Sequence, residues 1–354
     1  MKPMPKTFFS GEWKAGHVQG IALDMQRGYV YYSFTTILVK TDFEGRLIGT
    51  VQNLTGHLGC IVFDADRNCV YGSIEYKHDS IGKGVQGITG AANAEEDAFY
   101  LVQFDADRID RVGMDAETSG VMLAVYLADV VRDYGDRDEA SGEAHRYGCS
   151  GIDGTGYGPV FGAPKNSPKK LMVAYGIYSD VMRSDNDYQV ILQYDPSIFE
   201  RFGQPLSQLQ PHHSGPQSAE ERYFVYTGNT TYGIQNLEYD AYTQCWFAAV
   251  YPGKKEQFAN SPFFAIDGTV EPEANELKGR TGEIGKTLRL ATFGVPDANG
   301  IYGIPFSGGS TGLFACGDGS YYISIPNRTE GGASSCVERY VIDPSSTSLF
   351  RIEE

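Results

Sequence analysis

The chain of 354 residues lacks the long apolar segments that anchor proteins in membranes. No apolar run approaches the ~20 residues that a membrane-spanning helix needs. The first ten residues also lack the apolar stretch and the small-residue cleavage site of a signal peptide. We therefore expect no membrane-spanning segment, no membrane partner and a cytoplasmic location.

Positive charge is scarce as well. The chain has 29 Lys and Arg against 45 Asp and Glu, which gives a formal net charge of −16. A field of that sign disfavours nucleic acid and anionic membrane surfaces, so neither is an expected partner. The six cysteines lie far apart and never form Cys-x-x-Cys. This usage favours reduced, buried thiols over a disulfide framework.

Helical periodicity is nearly absent, and the residues of strands and turns take its place. The chain has 43 Gly, 24 Tyr and 19 Phe, a composition typical of short strands joined by tight turns. Five similar segments each run from a polar start through a small or apolar middle to an aspartate. They are residues 17–24, 57–64, 146–153, 233–240 and 311–318.

The length of the first repeat indicates the architecture. Four antiparallel strands fit into its roughly 40 residues, which is the unit length of a propeller blade. The repeats predict an all-β, single-domain, five-bladed β-propeller of four-stranded blades. Six or seven blades remain open if an insertion hides an irregular sheet. The predicted blades are residues 17–55, 56–144, 145–230, 231–308 and 309–354, after an N-terminal extension, 1–16, that covers the seam or an end.

Blades two to four carry predicted loop insertions. Residues 77–97 are rich in glycine, residues 154–170 contain three prolines, and residues 271–283 are polar. We expect each of these segments to be a loop. The aspartates that end the five repeats are expected to bond backbone N–H groups within turns. These aspartates are Asp24, Asp64, Asp153, Asp240 and Asp318.

The turn aspartates mark one face of the propeller, so the polar residues at the strand starts mark the opposite face. His17, His57 and His145 stand at such starts. Three interpretations of these imidazoles stay open: proton transfer near neutral pH, ligation of a divalent metal ion, and hydrogen bonding that caps the strands. No short metal motif decides between them, and the identity of any metal is unknown.

Second strands run back to the same face and bring further groups there. The segment 75–79 is the densest cluster of useful groups, with a carboxylate, an amine and an imidazole within five residues. We take His17, His57 and Glu75 as the catalytic candidates. The candidates for substrate binding, whose basic members would hold an anion, are Gln19, Lys77, His145, Arg146, Tyr178, Tyr232, Gln235, Lys254 and Arg328.

The blade pattern resembles the five-bladed propeller superfamily across nearly the whole chain. Many of its members are carbohydrate-active, and the resemblance implies a glycosidase or lyase with its site in the funnel of the propeller. Glycosidases of this architecture place an acidic residue at the start of the first strand, whereas this chain has His17 there. That departure weakens a two-carboxylate hydrolase and slightly favours elimination.

These observations predict a carbohydrate-active enzyme, a lyase or a glycosidase, which acts on a small anionic saccharide at the face of His17 and His57. The alternative is a non-catalytic propeller that binds a ligand or a protein through the same face. Fold alone does not decide between the two.

Overall fold

Short strands with alternating apolar side chains form sheets that are buried on both faces, and such sheets must pack against one another. The computed structural model describes residues 4–91, 94–137 and 142–353 and arranges five β-sheets as a five-bladed propeller. The predicted all-β, five-bladed architecture is confirmed. None of the helices in these ranges has the length and apolar character needed to cross a membrane.

The innermost strand of each blade comes first in sequence, and the chain then moves outward. Blade one consists of Val18–Asp24, Tyr29–Phe34, Ile37–Asp42 and Leu47–Gln52, with Met114–Asp115 added at its outer edge. Blade two consists of His57–Asp64, Cys69–Tyr76, Ala98–Asp105 and Met122–Tyr126. Blade three consists of Cys149–Pro159, Lys169–Ile177, Tyr188–Tyr194 and Glu221–Tyr226, extended outward by Ile284–Leu288 and Glu273–Glu276.

The last two blades depart from the simple four-stranded pattern. Blade four has the three strands Thr230–Asp240, Cys245–Pro252 and Phe263–Asp267, and isolated bridges from Leu290 and Ile304 lie at its outer edge. Blade five consists of Leu313–Ala315, Ser320–Thr329 and Gly332–Ile342. Its fourth position is shared by Thr7–Phe9 and Phe350–Ile352, both paired with Gly332–Ile342. The two ends of the chain therefore close the ring together.

Several short elements lie outside the blades. They are helix α1 (Ser80–Thr89), helix α2 (Ala128–Gly135), a 3₁₀ turn (Arg146–Gly148), helix α3 (Ile198–Phe202) and a small hairpin of Val295–Pro296 and Tyr302–Gly303. Three of the expected loops therefore differ from the structure. Residues 77–97 contain α1, the segment 154–170 begins as strand, and the segment 271–283 begins a hairpin that extends blade three.

Hydrophobic packing occurs between neighbouring blades. Within the described ranges, five buried clusters each join one blade to the next around the ring. Tyr31 and Tyr32 show how alternation divides a strand between two clusters. Tyr31 packs toward blade two and Tyr32 toward blade five, and neither is exposed to solvent.

Polar side chains tie the blades together at the centre. The Asn236 Nδ2 group donates to the carbonyl oxygens of Gln19 at 2.9 Å and Ser310 at 3.0 Å. The Cys60 thiol lies 3.1 Å from Asn236 Oδ1. Blades one, two and four and the start of blade five thus meet through one buried amide. All six cysteines are free, as expected.

Candidate functional site

A cavity opens on the face of the propeller where Val18–Asp24 and His57–Asp64 begin, which we call the upper face. Its volume is about 420 Å³, within the range of small-molecule sites. We call it the main cavity. The residues that line it are His17, Gln19, Thr35, His57, Glu75, Ile81, Gly84, Val85, Ile88, Asp153, Tyr232, Gln235 and Tyr251.

Helix α1 forms the apolar wall of the main cavity. Ile81, Val85 and Ile88 recur at helical spacing and line the cavity together. Asp79 begins the helix because its Oδ1 atom accepts the N–H groups of Ile81 and Gly82, both at 2.9 Å. The sequence pattern predicted a loop here because glycine disfavours helices.

Glycine is nevertheless required at the start of this helix. A Cβ atom on Gly82 would lie 1.7 Å from the carbonyl oxygen of Lys77. The glycine therefore lets α1 pack directly against the end of the strand Cys69–Tyr76 and reach the cavity. Here a close approach between backbones outweighs helix propensity.

His57 lies on the polar floor, opposite Glu75 in the register of two paired strands. Its Nδ1 atom is buried and has no hydrogen-bond partner among the described residues. It lies 3.8 Å from Glu75 Oε1 and 3.9 Å from Asp153 Oδ1. Burial, reinforced by the positive charge of Lys77, lowers the pKa of His57 to about 3. The imidazole is therefore neutral at physiological pH.

Glu75 is held by a buried ion pair. Its Oε1 atom lies 2.5 Å from Lys77 Nζ, and its Oε2 atom accepts the N–H of Ile152 at 3.0 Å. Burial raises the pKa of the Glu75 carboxyl, and Lys77 opposes that rise. Burial alone would lower the pKa of Lys77, but the charges of Glu75 and Asp79 raise it. The ammonium therefore stays protonated and favours negative charge on Glu75.

Asp153 is the second carboxyl group of the floor. Its Oδ2 atom accepts a hydrogen bond from Gln235 Nε2 at 3.1 Å, and within the described ranges no Lys or Arg forms an ion pair with it. Burial and then the charge of Glu75 raise the pKa of Asp153 to about 8. At neutral pH this carboxyl mostly carries its proton, beside a neutral imidazole.

The expected turn role of Asp153 is wrong. The strand Cys149–Pro159 continues through it with irregular register on both sides, so the residue lies within the strand. The other four aspartates do accept backbone N–H groups in turns. The distance in sequence to the next strand distinguishes Asp153 from three of these aspartates. The next strand starts 16 residues after Asp153 but only five after Asp24, Asp64 and Asp240.

Six of the predicted site residues line the main cavity together. They are His17, Gln19, His57, Glu75, Tyr232 and Gln235. Gln19 donates to Thr35 Oγ1 at 3.2 Å, the same atom that accepts the backbone N–H of His17 at 2.9 Å. This hydrogen-bonded threonine fixes the rim beside His17.

The other six predicted residues are not among those that line the main cavity, and they include all four basic residues that were expected to hold an anion. Lys77 is buried under Glu75, with its ammonium 2.7 Å from the Ser150 carbonyl oxygen. Arg146 pairs with Glu283 at 2.7 Å. Lys254 and Arg328 are exposed elsewhere on the surface.

His145 and Tyr178 form a separate cluster behind α1. The His145 Nδ1 atom lies 2.5 Å from the carbonyl oxygen of Tyr134, and its ring packs against Tyr134 and Tyr178. The Tyr178 hydroxyl donates to Asp79 Oδ2 at 2.7 Å. These contacts support the residue that begins α1, and they keep His145 out of the cavity.

The metal interpretation loses one of its three candidate ligands, because His145 lies outside the main cavity. Over residues 4–91, 94–137 and 142–353, no group of three or more His, Cys, Asp or Glu side chains is placed to hold a metal ion.

Fold and cavity together define a five-bladed β-propeller with a polar site at its upper face. No protein-family profile matches the chain, and a search of curated proteins finds no match. Among solved structures, the soluble aldose sugar dehydrogenase of Escherichia coli in its apo-form is similar over 94% of this chain and 98% of that chain, at 9% identity and a TM-score of 0.38.

Two further solved structures are similar at comparable levels. A protein of unknown function from Bacteroides caccae covers 86% of this chain and 69% of its own length, at 10% identity and a TM-score of 0.34. The structure of U3-55K covers 91% and 80%, at 8% identity and a TM-score of 0.34. Likenesses at this level carry no functional assignment.

Proposed function

We propose that the chain is a carbohydrate-active enzyme that hydrolyses a glycosidic bond in the main cavity. Asp153 is the proton donor, and Glu75 is the second carboxyl group of the pair. The observation that carries the proposal is a buried carboxyl group that keeps its proton at neutral pH and lines a cavity of about 420 Å³. Two carboxyl groups whose surroundings give them different protonation states are the usual equipment for glycoside hydrolysis.

In the proposed reaction, Asp153 gives its proton to the glycosidic oxygen as the bond to the anomeric carbon breaks. Water then supplies the hydroxyl group at that carbon, and the second proton of the water restores the acid. Glu75 Oε1 and Asp153 Oδ1 both approach His57 Nδ1, so they are no more than about 8 Å apart. That limit is compatible with either stereochemical outcome.

The lining of the main cavity favours hydrolysis over the elimination that the sequence slightly preferred. Elimination next to a sugar carboxylate develops negative charge, which Arg or Lys side chains stabilise strongly. Among the described residues that line the cavity there is no Lys or Arg. A sugar unit without charge, hydrogen-bonded by Gln19 and Gln235 and covered by the apolar wall of α1, fits this lining better than an anionic unit.

One observation favours the second candidate, a binding module without catalysis. Both carboxylate oxygens of Glu75 are already occupied, one by Lys77 and one by the N–H of Ile152. A carboxylate held in this way stabilises its neighbours but is poorly placed to attack a sugar or to activate water. In that case Asp153 and the imidazoles serve only as hydrogen-bonding groups for the ligand.

The test is a screen of aryl glycosides and unlabelled oligosaccharides, with release of reducing ends as the readout. Asp153→Asn is expected to lower turnover of any responsive substrate by a factor of about 10² or more while leaving binding measurable. Asp64→Asn is the matched control, because Asp64 lies in a turn at the opposite face. Equal turnover by Asp153→Asn and wild type would overturn the assignment, and binding without turnover would favour the binding module.

A further inference from the structure

A second cavity, of about 510 Å³, opens on the upper face next to the main one. It lies over blade one, and its lining includes Trp13, Lys14, Thr36, Gln52, Asn53 and Thr89. None of these residues was a candidate from the sequence. We call this space the second cavity.

The two cavities lie on opposite sides of a partition formed by three short chain segments. Thr35 lines the main cavity and Thr36 the second, while Ile88 lines the main cavity and Thr89 the second. The N-terminal side of the partition follows the same rule, with Ala15 on one side and His17 on the other. Adjacent backbone positions therefore face the two spaces, which makes the cavities immediate neighbours on the upper face.

Gly16 lies at the centre of this partition and is tightly packed there. It has a φ of +87°, and a Cβ atom there would lie 2.3 Å from Thr35 Oγ1 and 3.2 Å from Ile88 Cδ1. A larger residue is therefore excluded both by conformation and by space. Consequently the segment packs closely against α1, and residue 16 adds no side chain between the two cavities.

The chemistry of the second cavity suits a sugar ring. Trp13 offers an indole that is half-buried and anchored by its Nε1–H, which donates to the Ser10 carbonyl oxygen at 2.8 Å. Gln52 and Asn53 add amide groups beside it. A rigid aromatic surface with a few amides is a common lining for polar small molecules that also have apolar faces.

We propose that the second cavity is a subsite for a further sugar unit of the same saccharide, which makes the substrate an oligosaccharide of at least two units. The inference rests on the proposed function of the main cavity. One unit occupies the main cavity beside Asp153, and the next lies in the second cavity, on the other side of Gly16, where it packs against Trp13.

The chain contains a spectroscopic reporter for this subsite. It has only two tryptophans, and Trp246 is fully buried in blade four. The Asp153→Asn protein is titrated with glucose-, xylose-, mannose-, arabinose- and galacturonate-based series of one to four units. Calorimetry measures the affinity, and tryptophan fluorescence reports whether the ligand reaches Trp13 in the second cavity. The matched control carries Trp13→Phe in addition, so that only Trp246 emits.

We expect the single sugar of the preferred series to bind without changing the fluorescence. Oligosaccharides of two or more units should bind at least about tenfold more tightly than the single sugar. They should also change the emission of Trp13, which the Trp13→Phe control lacks. Equal affinity for one and several units, with a silent Trp13, would overturn the subsite and leave the proposed function standing. Absence of binding and turnover with every saccharide would overturn the proposed function itself.

A variant that fails to fold does not end the test. Acrylamide quenching of the Asp153→Asn protein separates the accessible Trp13 from the buried Trp246 without a further substitution. Protection of the quenchable emission by two-unit ligands but not by the single sugar supports the subsite. Unchanged quenching at saturating two-unit ligand contradicts it.

Discussion

The raised pKa of Asp153 makes the stability of the protein depend on pH in a way that one substitution should remove. The pKa of this carboxyl is about 8 in the folded protein, compared with 3.8 when the group is unperturbed. As the pH rises between these values, the unfolded chain has released the proton while the folded chain still holds it. Stability is therefore fully present below about pH 4 and is lost progressively up to about pH 8. Asparagine mimics the protonated acid and does not titrate, so Asp153→Asn should abolish this loss.

The size of the effect follows from the pKa difference. Each pH unit between the two values lowers the free energy of unfolding of the wild type, relative to the variant, by about 1.4 kcal/mol. From pH 5 to pH 8 the relative loss is on the order of 4 kcal/mol, and the Asp153 side chain is only 15% exposed, so solvent screening is limited. For a chain of this length, that loss corresponds to roughly 5 °C in Tm.

The assay is urea denaturation at pH 5, 6, 7 and 8 of the wild type and of Asp153→Asn. Asp318→Asn is the matched control, because desolvation raises the pKa of this carboxyl but the hydrogen bonds from Ser320 lower it overall. Its contribution is present above the unfolded value and is lost only in acid, so its curve should run parallel to that of the wild type over this range. Parallel curves for the wild type and Asp153→Asn would refute the protonated carboxyl and, with it, the proton donor.

Three further predictions concern the scaffold. Asn236→Ala should lower the free energy of unfolding by about 2–4 kcal/mol in urea, because two carbonyl groups lose the donor that a fully buried side chain supplies. Asn275→Ala on an exposed strand should change it by less than about 0.5 kcal/mol. Phe8→Ala should cost about 3–5 kcal/mol in the same assay, since Phe8 packs in the closing strand, and Phe9→Ala on its exposed side should cost little. Asp79→Ala should weaken α1 by about 0.5–2 kcal/mol, seen as faster hydrogen exchange of its amides with core strands unchanged. Similar losses of stability for Asn236→Ala and Asn275→Ala, or for Phe8→Ala and Phe9→Ala, would contradict the first two assignments. Unchanged hydrogen exchange of the α1 amides in Asp79→Ala would contradict the third.

Much of the architecture was predictable because its signals are local. Alternating apolar residues mark strands, and turn aspartates recur at their ends, so five repeats indicated five blades. The upper face followed from strand direction, which brought His17, His57 and Glu75 to one cavity although they lie far apart in sequence. Closure of blade five by both chain ends was less visible, because a three-residue strand carries almost no pattern.

The missed features depend on contacts between distant parts of the chain. Helix α1 was expected to be a loop because its glycines outweigh its short apolar stripe, yet Asp79 and a close approach to Lys77 stabilise it. Asp153 matched the turn pattern in type but not in spacing. The strand pattern placed the basic residues that were expected to bind an anion at the upper face. Arg146 instead pairs with Glu283, which lies 137 positions away in the sequence.

The sequence by itself determined the repeat, and with it the number of blades and the face on which polar strand starts gather, because alternation and turn chemistry act over a few residues. Only the tertiary structure decided which of those groups can do chemistry. Protonation depends on burial and on charges a few ångströms away. Asp153 comes next to His57 and to the charge of Glu75 only when blade three packs against blade two.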